Sequence, residues 1–289
     1  MVKLLSERAF AKINLFLRVT GRRADGYHEL DSIFVPVSIS DRITLEVRPA
    51  SESSITLRCN IPELGAAKTN LAARAARAFL DEFRISEQVI IDLEKTIPAG
   101  AGLGGGSSDA GTVLRMLTSM MRLDDSNAIR ERLQKIAVGL GADVPFFLNP
   151  RPSRVRGIGE QIEAFEKFPT LHLVIAVPPI EVPTASVFKA LKPEGWSGAA
   201  NESEVQEIVA GKVSVKHLVN DLEAPAMHLY PQIAKLKALL EECGAEAASM
   251  SGSGGAVFGL YRDEAAASRG AVSMRESAPE ARIFVARSL

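Results

Sequence analysis

The stretch PAGAGLGGGSSDAG, residues 98–111, decides the reading of this chain. Glycine has no Cβ, so a run of glycines lets the backbone take positive φ and come close to a ligand. The N–H groups of such a loop converge on an anion. A helix carrying Val113, Leu117 and Met120 follows, with Ser107, Ser108 and Asp109 as its expected N-cap types. Its N-terminus, with free N–H groups and a positive dipole end, is directed at the same place, and a phosphate is the natural guest. Three other readings compete. A flexible turn does not need so many glycines directly before a capped helix. A dinucleotide loop is met by Gly100, Gly102 and Gly105 as G-x-G-x-x-G, but it also needs a following strand with an acidic end. Asp124 has roughly that spacing and lies instead between two helical patterns, and Pro98 fits badly. A Walker A loop needs Gly-Lys before Ser or Thr, where this chain has Gly106-Ser107. The HRD and DFG motifs of protein kinases are absent.

On the N-terminal side, Ile13, Leu15, Leu17 and Val19 alternate as one face of a strand. Lys12, Asn14, Phe16 and Arg18 share the other face. The turn-forming GRRADG follows, then strand-like runs at about 29–38, 41–48 and 54–59. Leu71, Ala75, Ala78 and Phe79 make the apolar stripe of a helix over 69–83, with Thr69 and Asn70 as caps. QVIIDL at 88–93 reads as a strand. Beyond the glycine loop, Ile129, Leu133, Ile136 and Leu140 space a second helix that Gly141 stops. NPRPSR at 149–154 is turn-rich, and LHLVIAV at 171–177 is a strand. A short helix is expected over 184–191, a loop over 193–202, and helices over 203–210, 214–222 and 231–243. The chain closes as strand, SGSGG loop, strand, helix and strand. This is an α+β pattern with an antiparallel sheet. A boundary near 155–170 divides it into domains 1–160 and 161–289.

Lys plus Arg number 34 and Asp plus Glu 35, a net charge of −1. That balance argues against a nucleic-acid partner, which demands a basic surface. Cys59 and Cys243 lie far apart with no metal-ligand spacing, and read as structural thiols. The four histidines are scattered. The opening MVKLLSERAFAKINLFL is not a signal peptide, and no apolar run is long enough for a membrane span. A cytoplasmic protein with no membrane partner is expected.

The pattern P-x-x-x-G-L-G-x-x-S-S-x-A resembles the second motif of the GHMP kinases, which include galactokinase, homoserine kinase, mevalonate kinase and phosphomevalonate kinase. Many of those have G-L-G-S-S-A. The longer GLGGGSSDA resembles the diphosphocytidyl-methylerythritol kinase branch. AKINLFLRVTGRRADGYHELDSIF resembles the first motif of that branch with its D-G-Y-H signature, and GLGADVPFFL its G-A-D-V-P-F-F segment. SMSGSGGAVFG is similar to the third GHMP motif. All occur in order along the whole chain. The chain departs from the pattern at NPRPSRVRGIGE, which has extra prolines and arginines, at Ser251 and Ser253, where threonine or alanine is frequent, and at Asp109.

The resemblance implies an α+β, two-domain GHMP kinase fold. Its N-terminal domain is ribosomal-protein-S5-like, its C-terminal domain is a ferredoxin-like α+β domain, and the active site lies in the cleft. It implies ATP and Mg²⁺ as cofactors, and transfer of the γ-phosphate to the 2-hydroxyl of a small-molecule acceptor bearing a cytidine diphosphate, in the non-mevalonate isoprenoid route. Lys12 and Asp143 are the implied catalytic pair, cation and base. Pro98, Ala99, Gly100, Ala101, Gly102, Leu103, Gly104, Gly105, Gly106, Ser107 and Ser108 bind the triphosphate, and Asn70 and Lys95 touch the nucleotide. Ser107 or Ser108 is the metal ligand. Asn14 hydrogen-bonds the acceptor, Tyr27 and His28 recognise its cytosine, Phe188 stacks on it and Thr184 supplies a hydroxyl. Arg22 and Arg23 meet the diphosphate.

Each assignment has a plainer counterpart from the residues alone. Asp143 caps a helix beginning VPFF, with Pro145 in its first turn. Lys12 is on a solvated strand face, Tyr27 and His28 are a loop tip, Phe188 is core, and Arg22 and Arg23 are a solvated turn. Other functions stay open too: another GHMP kinase of homoserine or mevalonate type, a non-catalytic sensor on the same fold, or an RNA-binding protein. Monomer and homodimer are both compatible with the sequence.

Overall fold

The alternation at Ile13–Val19 belongs to a longer strand, β1 (Lys3–Arg22). This computed structural model describes all residues 1–289. β1 starts amphipathic, but from Ala11 to Leu17 every side chain is buried. Lys12 and Asn14 are therefore covered, and the solvated-face reading of Lys12 does not hold. The turn after β1 closes with Gly26 at φ 91°, and the chain returns as β2 (His28–Pro49), which pairs with β1.

Packing divides the chain into two units that are interleaved in sequence. The first comprises 1–11, 40–97 and 104–150; the second comprises 12–39, 98–103 and 151–289. β1 and β2 thus give a half to each.

In the first unit, β2 runs antiparallel to β4 (Glu87–Glu94) from Arg42↔Glu94 to Pro49↔Glu87, and β3 (Ser54–Cys59) joins β4 in parallel. Period-two apolar residues on these strands, Ile43, Leu45 and Val47 with Val89, Ile91 and Leu93, form one sheet face. Helices α1 (Leu71–Phe83), α2 (Gly105–Met120) and α3 (Asn127–Leu140) cover it with Ala72, Ala75, Ala76, Phe79, Val113, Leu114 and Leu117. Many alanines on α1 allow α2 to pack closely. Asn70 caps α1 and Ser126 caps α3 through side-chain acceptors. The start of α2 differs from the sequence expectation. Its N-cap is Gly104, at φ 70°, so Ser107, Ser108 and Asp109 are inside the first turns and no side chain caps the helix. Glycine tolerates the left-handed cap, which moves the helix start ahead of the serines.

In the second unit, the first half of β2 pairs with β5 (Ser153–Gly157), which pairs with β6 (Gln161–Ala164). The prolines and arginines of 149–154, which read as a turn, hide the start of β5, and β6 lies in the stretch expected to be a domain boundary. A second sheet follows the order β10-β7-β9-β8, antiparallel throughout, built from β7 (His172–Val177), β8 (Ala247–Met250), β9 (Val257–Tyr261) and β10 (Arg282–Arg287). Helices α4 (Thr184–Ala190), α5 (Glu202–Val209), α6 (Glu223–Leu229), α7 (Pro231–Glu242) and α8 (Glu264–Ser277) complete it. Val174, Ala176, Ile233, Leu236, Leu240, Val257 and Met274 are in its core.

The helix expected over 214–222 is only a 3₁₀ turn at Val215–His217. Asn220 and Asp221 break it. Asn220 Nδ2 donates to the carbonyls of Met250 and Gly252 at 2.8 and 2.9 Å, and Asp221 Oδ2 accepts from Val19 N at 2.7 Å. Short polar side chains compete with helical backbone in this way. The turn of helix then resumes at α6, which the sequence reading missed.

Candidate active site

In the glycine loop every second position is left-handed: Gly100, Gly102 and Gly104 have φ of 66°, 76° and 70°. Ala101 and Leu103 between them are buried. Three hydrogen bonds inside the second unit fix the loop. Lys12 N donates to Leu103 O at 3.0 Å, Ala256 N to Ala101 O at 2.9 Å, and Ser251 Oγ to Gly102 O at 3.0 Å. The loop is thereby tied to β1 on one side and to the second glycine loop, 251–256, on the other. The carbonyls of Ala101, Gly102 and Leu103 are all taken by protein donors.

The side chains of β1 add a buried polar row. Lys12, 3% exposed, donates from Nζ to Asn14 Oδ1 at 2.5 Å and lies 4.7 Å from the Phe34 ring centroid. Asn14 Nδ2 donates to Ser32 Oγ at 3.0 Å, and Ser32 Oγ donates to Phe16 O. Asn14 N donates to Ser251 Oγ at 3.3 Å. A lysine taken out of water and aimed along such a row is expensive unless it meets negative charge. Ser32, on β2, and Ser251, in the second glycine loop, are neighbours of this row that period-two reasoning on β1 alone could not find.

In the first unit, Asp143 is half-buried in the turn before a 3₁₀ helix at Pro145–Leu148. The N-cap there is Val144, and no side chain caps the turn. The capping role for Asp143 is therefore not realised, although Pro145 does occupy the first turn. Ser108 is buried and donates from Oγ to Phe10 O at 2.6 Å, whereas Ser107 is half-buried at the surface of the first turn. Asn70 has both ends of its amide in structural bonds: Oδ1 accepts from Ala72 N at 2.9 Å and Nδ2 donates to Leu64 O at 2.8 Å.

Lys95 is buried and bonds two carboxylates. Nζ reaches Asp109 Oδ2 at 2.7 Å and also Asp41 Oδ2. Asp41 Oδ1 accepts from Thr96 N and Ile97 N at 2.5 and 2.8 Å, while Asp109 Oδ1 is buried without a partner. One cation against two buried acids leaves one excess negative charge. Burial therefore raises the Asp109 carboxyl to about 8, against the pull of Lys95 and with the push of Asp41. Burial lowers the Lys95 ammonium, but the two carboxylates outweigh it and the net shift is upward. Because the folded Asp109 holds its proton more tightly than the unfolded one, stability falls as pH rises from about 4 to about 8. The neutral Asp109→Asn variant removes this dependence. Its melting temperature is expected to decline less between pH 5 and pH 8 than that of the wild type. Parallel curves would show Asp109 ionised throughout. The trio ties β2, the exit of β4 and the first turns of α2 beneath Gly105, whose added Cβ would lie 3.3 Å from Lys95 Nζ.

The residues expected at the acceptor fall together within the second unit. His28 stacks on Phe188, ring centroids 5.0 Å apart and 25° between planes. Thr184 Oγ1 and Ser253 Oγ share a hydrogen bond at 2.7 Å. Tyr27 is exposed beside His28. Burial, then the charge of Arg22, lowers the His28 ring below its usual value, so it is neutral at neutral pH and can accept as well as donate. Arg22 and Arg23 hold the turn: Arg22 Nε donates to Gly26 O at 3.4 Å and Arg23 pairs with Asp25 at 3.2 Å. A groove of about 830 Å³ along α1 and α3 contains none of these residues.

Comparison with known proteins adds independent findings. The model for the GHMP kinases N terminal domain matches residues 70–150, and that for GHMP kinases C terminal matches 210–280. A 4-diphosphocytidyl-2-C-methyl-D-erythritol kinase of Chlorobium phaeobacteroides (strain BS1) is 37% identical over 281 residues, 96% of each chain. One of Syntrophotalea carbinolica is 41% identical over 255 residues, 88% of each. A crystal structure of 4-(cytidine 5′-diphospho)-2C-methyl-D-erythritol kinase superposes with a TM-score of 0.83 at 36% identity, covering 98% of this chain and 99% of that one. A homoserine kinase from Cytophaga hutchinsonii, 17% identical with a TM-score of 0.73 over 99% of this chain and 94% of that one, shares the fold.

Proposed function

This chain belongs to the 4-diphosphocytidyl-2-C-methyl-D-erythritol kinases of the GHMP kinase superfamily, and from that premise we propose how its residues carry the reaction. The chain transfers the γ-phosphate of ATP to the 2-hydroxyl of 4-diphosphocytidyl-2-C-methyl-D-erythritol. Membership of this branch favours that acceptor over homoserine, mevalonate or a non-catalytic sensor. The observation that carries the mechanism is the glycine loop. Its carbonyls are bound to Lys12 N, Ser251 Oγ and Ala256 N, and the first of these donors is the backbone of the residue that carries the buried ammonium.

Phosphoryl transfer needs positioning and charge stabilisation more than covalent help. Residues 98–106 hold the triphosphate with backbone N–H groups, and the uncapped N-terminus of α2 supplies further donors and a positive dipole end. Lys12 neutralises charge that develops on the transferring group. The acceptor oxygen forms its bond to the γ-phosphorus as the bond from that phosphorus to the β–γ bridging oxygen breaks. Asp143 receives the hydroxyl proton, and ADP leaves. Asn14, whose amide is oriented by Lys12 and Ser32, holds the acceptor near the reacting hydroxyl. Tyr27, His28, Phe188 and Thr184 recognise the cytidine end.

For Mg²⁺, the chain offers no ready-made cage, since no three His, Cys, Asp or Glu side chains cluster. That suits an ion carried mostly by phosphates and water, which takes few protein ligands. The half-buried Ser107 hydroxyl is the fitting ligand, because Ser108 is buried and bonded to Phe10 O. When bound, the ion neutralises charge on the phosphate oxygens. Lys95 and Asn70 act on the nucleotide through backbone they hold, since their side chains are engaged elsewhere.

Competition separates this function from its alternatives. CDP is expected to inhibit competitively against the acceptor and not against ATP. Inhibition competitive only with ATP, or none, would remove the cytidine site and return the acceptor to another GHMP class.

A further inference from the structure

Three consecutive backbone N–H groups at the exit of β4 are held by side chains. Lys95 N donates to Asn60 Oδ1 at 2.7 Å, and Thr96 N and Ile97 N donate to Asp41 Oδ1 at 2.5 and 2.8 Å. The ladder between β2 and β4 stops at Arg42↔Glu94, one pair short of Asp41 and Lys95. Beyond that pair the Asp41 carboxylate takes over from the β2 backbone as acceptor for the departing chain. Asn60 Nδ2 also donates to Lys95 O at 3.2 Å. The segment held in this way runs directly into Pro98, where the glycine loop begins.

The other oxygen of Asp41 accepts from Lys95 Nζ, which also bonds Asp109 Oδ2 at 2.7 Å near the start of α2. None of the three side chains is more than 4% exposed. The chain leaves the first unit after Ile97 and rejoins it at Gly104. Departure and return lie against each other, since a Cβ on Gly105 would be 2.9 Å from Ile97 Cγ2 and 3.3 Å from Lys95 Nζ. One buried trio therefore grips the last residues before the loop and the helix that follows it.

Stability alone does not call for charges here. Well-packed apolar residues of similar volume stabilise a core as well as a buried ion pair does. Apolar residues cannot accept two backbone N–H groups, nor hold a helix end at a fixed hydrogen-bond length. Short directional bonds in series fix a spacing. A loop that meets phosphates with backbone N–H groups depends on the spacing of its two ends, because small misplacements are costly in such a site.

We propose that Asp41, Lys95 and Asp109 are positioning residues for the nucleotide, setting the separation of the two ends of the glycine loop. This rests on the reading of that loop as the ATP site. Removing either acid leaves one ammonium against one carboxylate, so neither alanine variant strands a buried charge. Asp41→Ala and Asp109→Ala are each expected to raise the KM for ATP about tenfold, with the acceptor KM within about threefold, at a temperature well below melting. Asp109→Asn keeps an oxygen for Lys95 Nζ and is expected to hold the KM for ATP within about threefold of wild type. Hydrogen exchange on the wild-type protein needs no variant. A non-hydrolysable ATP analogue is expected to slow exchange at 95–97 and 105–109 as well as at 98–104. Alanine variants that fold and keep the wild-type KM for ATP, or that raise both KM values alike, overturn the proposal. Slowed exchange confined to 98–104 does the same. Gly102→Ala then separates two failures. If it weakens ATP where the alanine variants do not, the loop binds ATP and only the role of the trio falls; if it does not, the reading of the loop falls with it.

Discussion

Gly102→Ala is expected to disable the enzyme, while Gly100→Ala, two residues away, is not. Both glycines have left-handed φ, 76° and 66°, so alanine at either costs about 1–2 kcal/mol of backbone strain. They differ in space. A Cβ at Gly100 meets nothing within 4 Å, whereas one at Gly102 would lie 2.1 Å from the carbonyl oxygen of Ser251. That oxygen is backbone, already bonded to Gly254 N at 3.2 Å, and has no rotamer in which to retreat. The two glycine loops must part, and overpacking adds about 1–3 kcal/mol. Parting them breaks the bond from Ser251 Oγ to Gly102 O and shifts the N–H groups proposed to bind phosphate. We expect kcat/KM for ATP to fall at least about a hundredfold in Gly102→Ala, and the melting temperature by several degrees. Gly100→Ala should lose only a few degrees and keep activity within about tenfold. Equal behaviour of the two variants would show that close approach of the loops does not matter for nucleotide binding.

Lys12→Met has the second large effect. Methionine fills nearly the same space beside Phe34 and keeps the strand buried, so the variant is expected to fold, with Asn14 Oδ1 losing a donor. The charge is what disappears. In the proposed reaction this buried cation meets the charge developing on the transferring group in a low-dielectric site and needs no reorganisation. Its loss is expected to lower kcat about a thousandfold, roughly 4 kcal/mol, with ATP affinity reduced far less. Circular dichroism and ATP binding separate this from unfolding. A kcat within tenfold of wild type would assign the ammonium to β1 packing through Asn14 instead of to the reaction.

The glycine loop and the β1 row could be read from the sequence because their physics is local. Only glycine suits alternating left-handed positions, and period two places Lys12 and Asn14 on one face whatever the fold. The GHMP class and its branch followed from motifs that sit in such local structures. What stayed hidden depends on distant partners. Nothing around Lys95 announces that Asp41, 54 residues earlier, and Asp109, 14 later, will bury it. The segment 193–202 has the composition of a loop, yet Asp31, 169 residues before Ala200, pins it. Arg154 lies in a stretch that reads as a turn, and its partner there, Asp31, is 123 residues away on β2, the strand that β5 pairs with. Asn220 and Asp221 read as helix because their competition with the helix depends on distant backbone, the carbonyl of Met250 for Asn220 and the N–H of Val19 for Asp221.

The most direct test of the account is phosphate transfer from ATP to 4-diphosphocytidyl-2-C-methyl-D-erythritol, measured as ADP formation in wild type and in Asp143→Asn. The account predicts turnover that requires both the cytidine-bearing acceptor and Mg²⁺. It also predicts that turnover falls at least about a hundredfold in Asp143→Asn, with ATP and CDP binding intact. Undiminished turnover in Asp143→Asn, or no turnover by the wild type on this acceptor despite tight ATP binding, would contradict it.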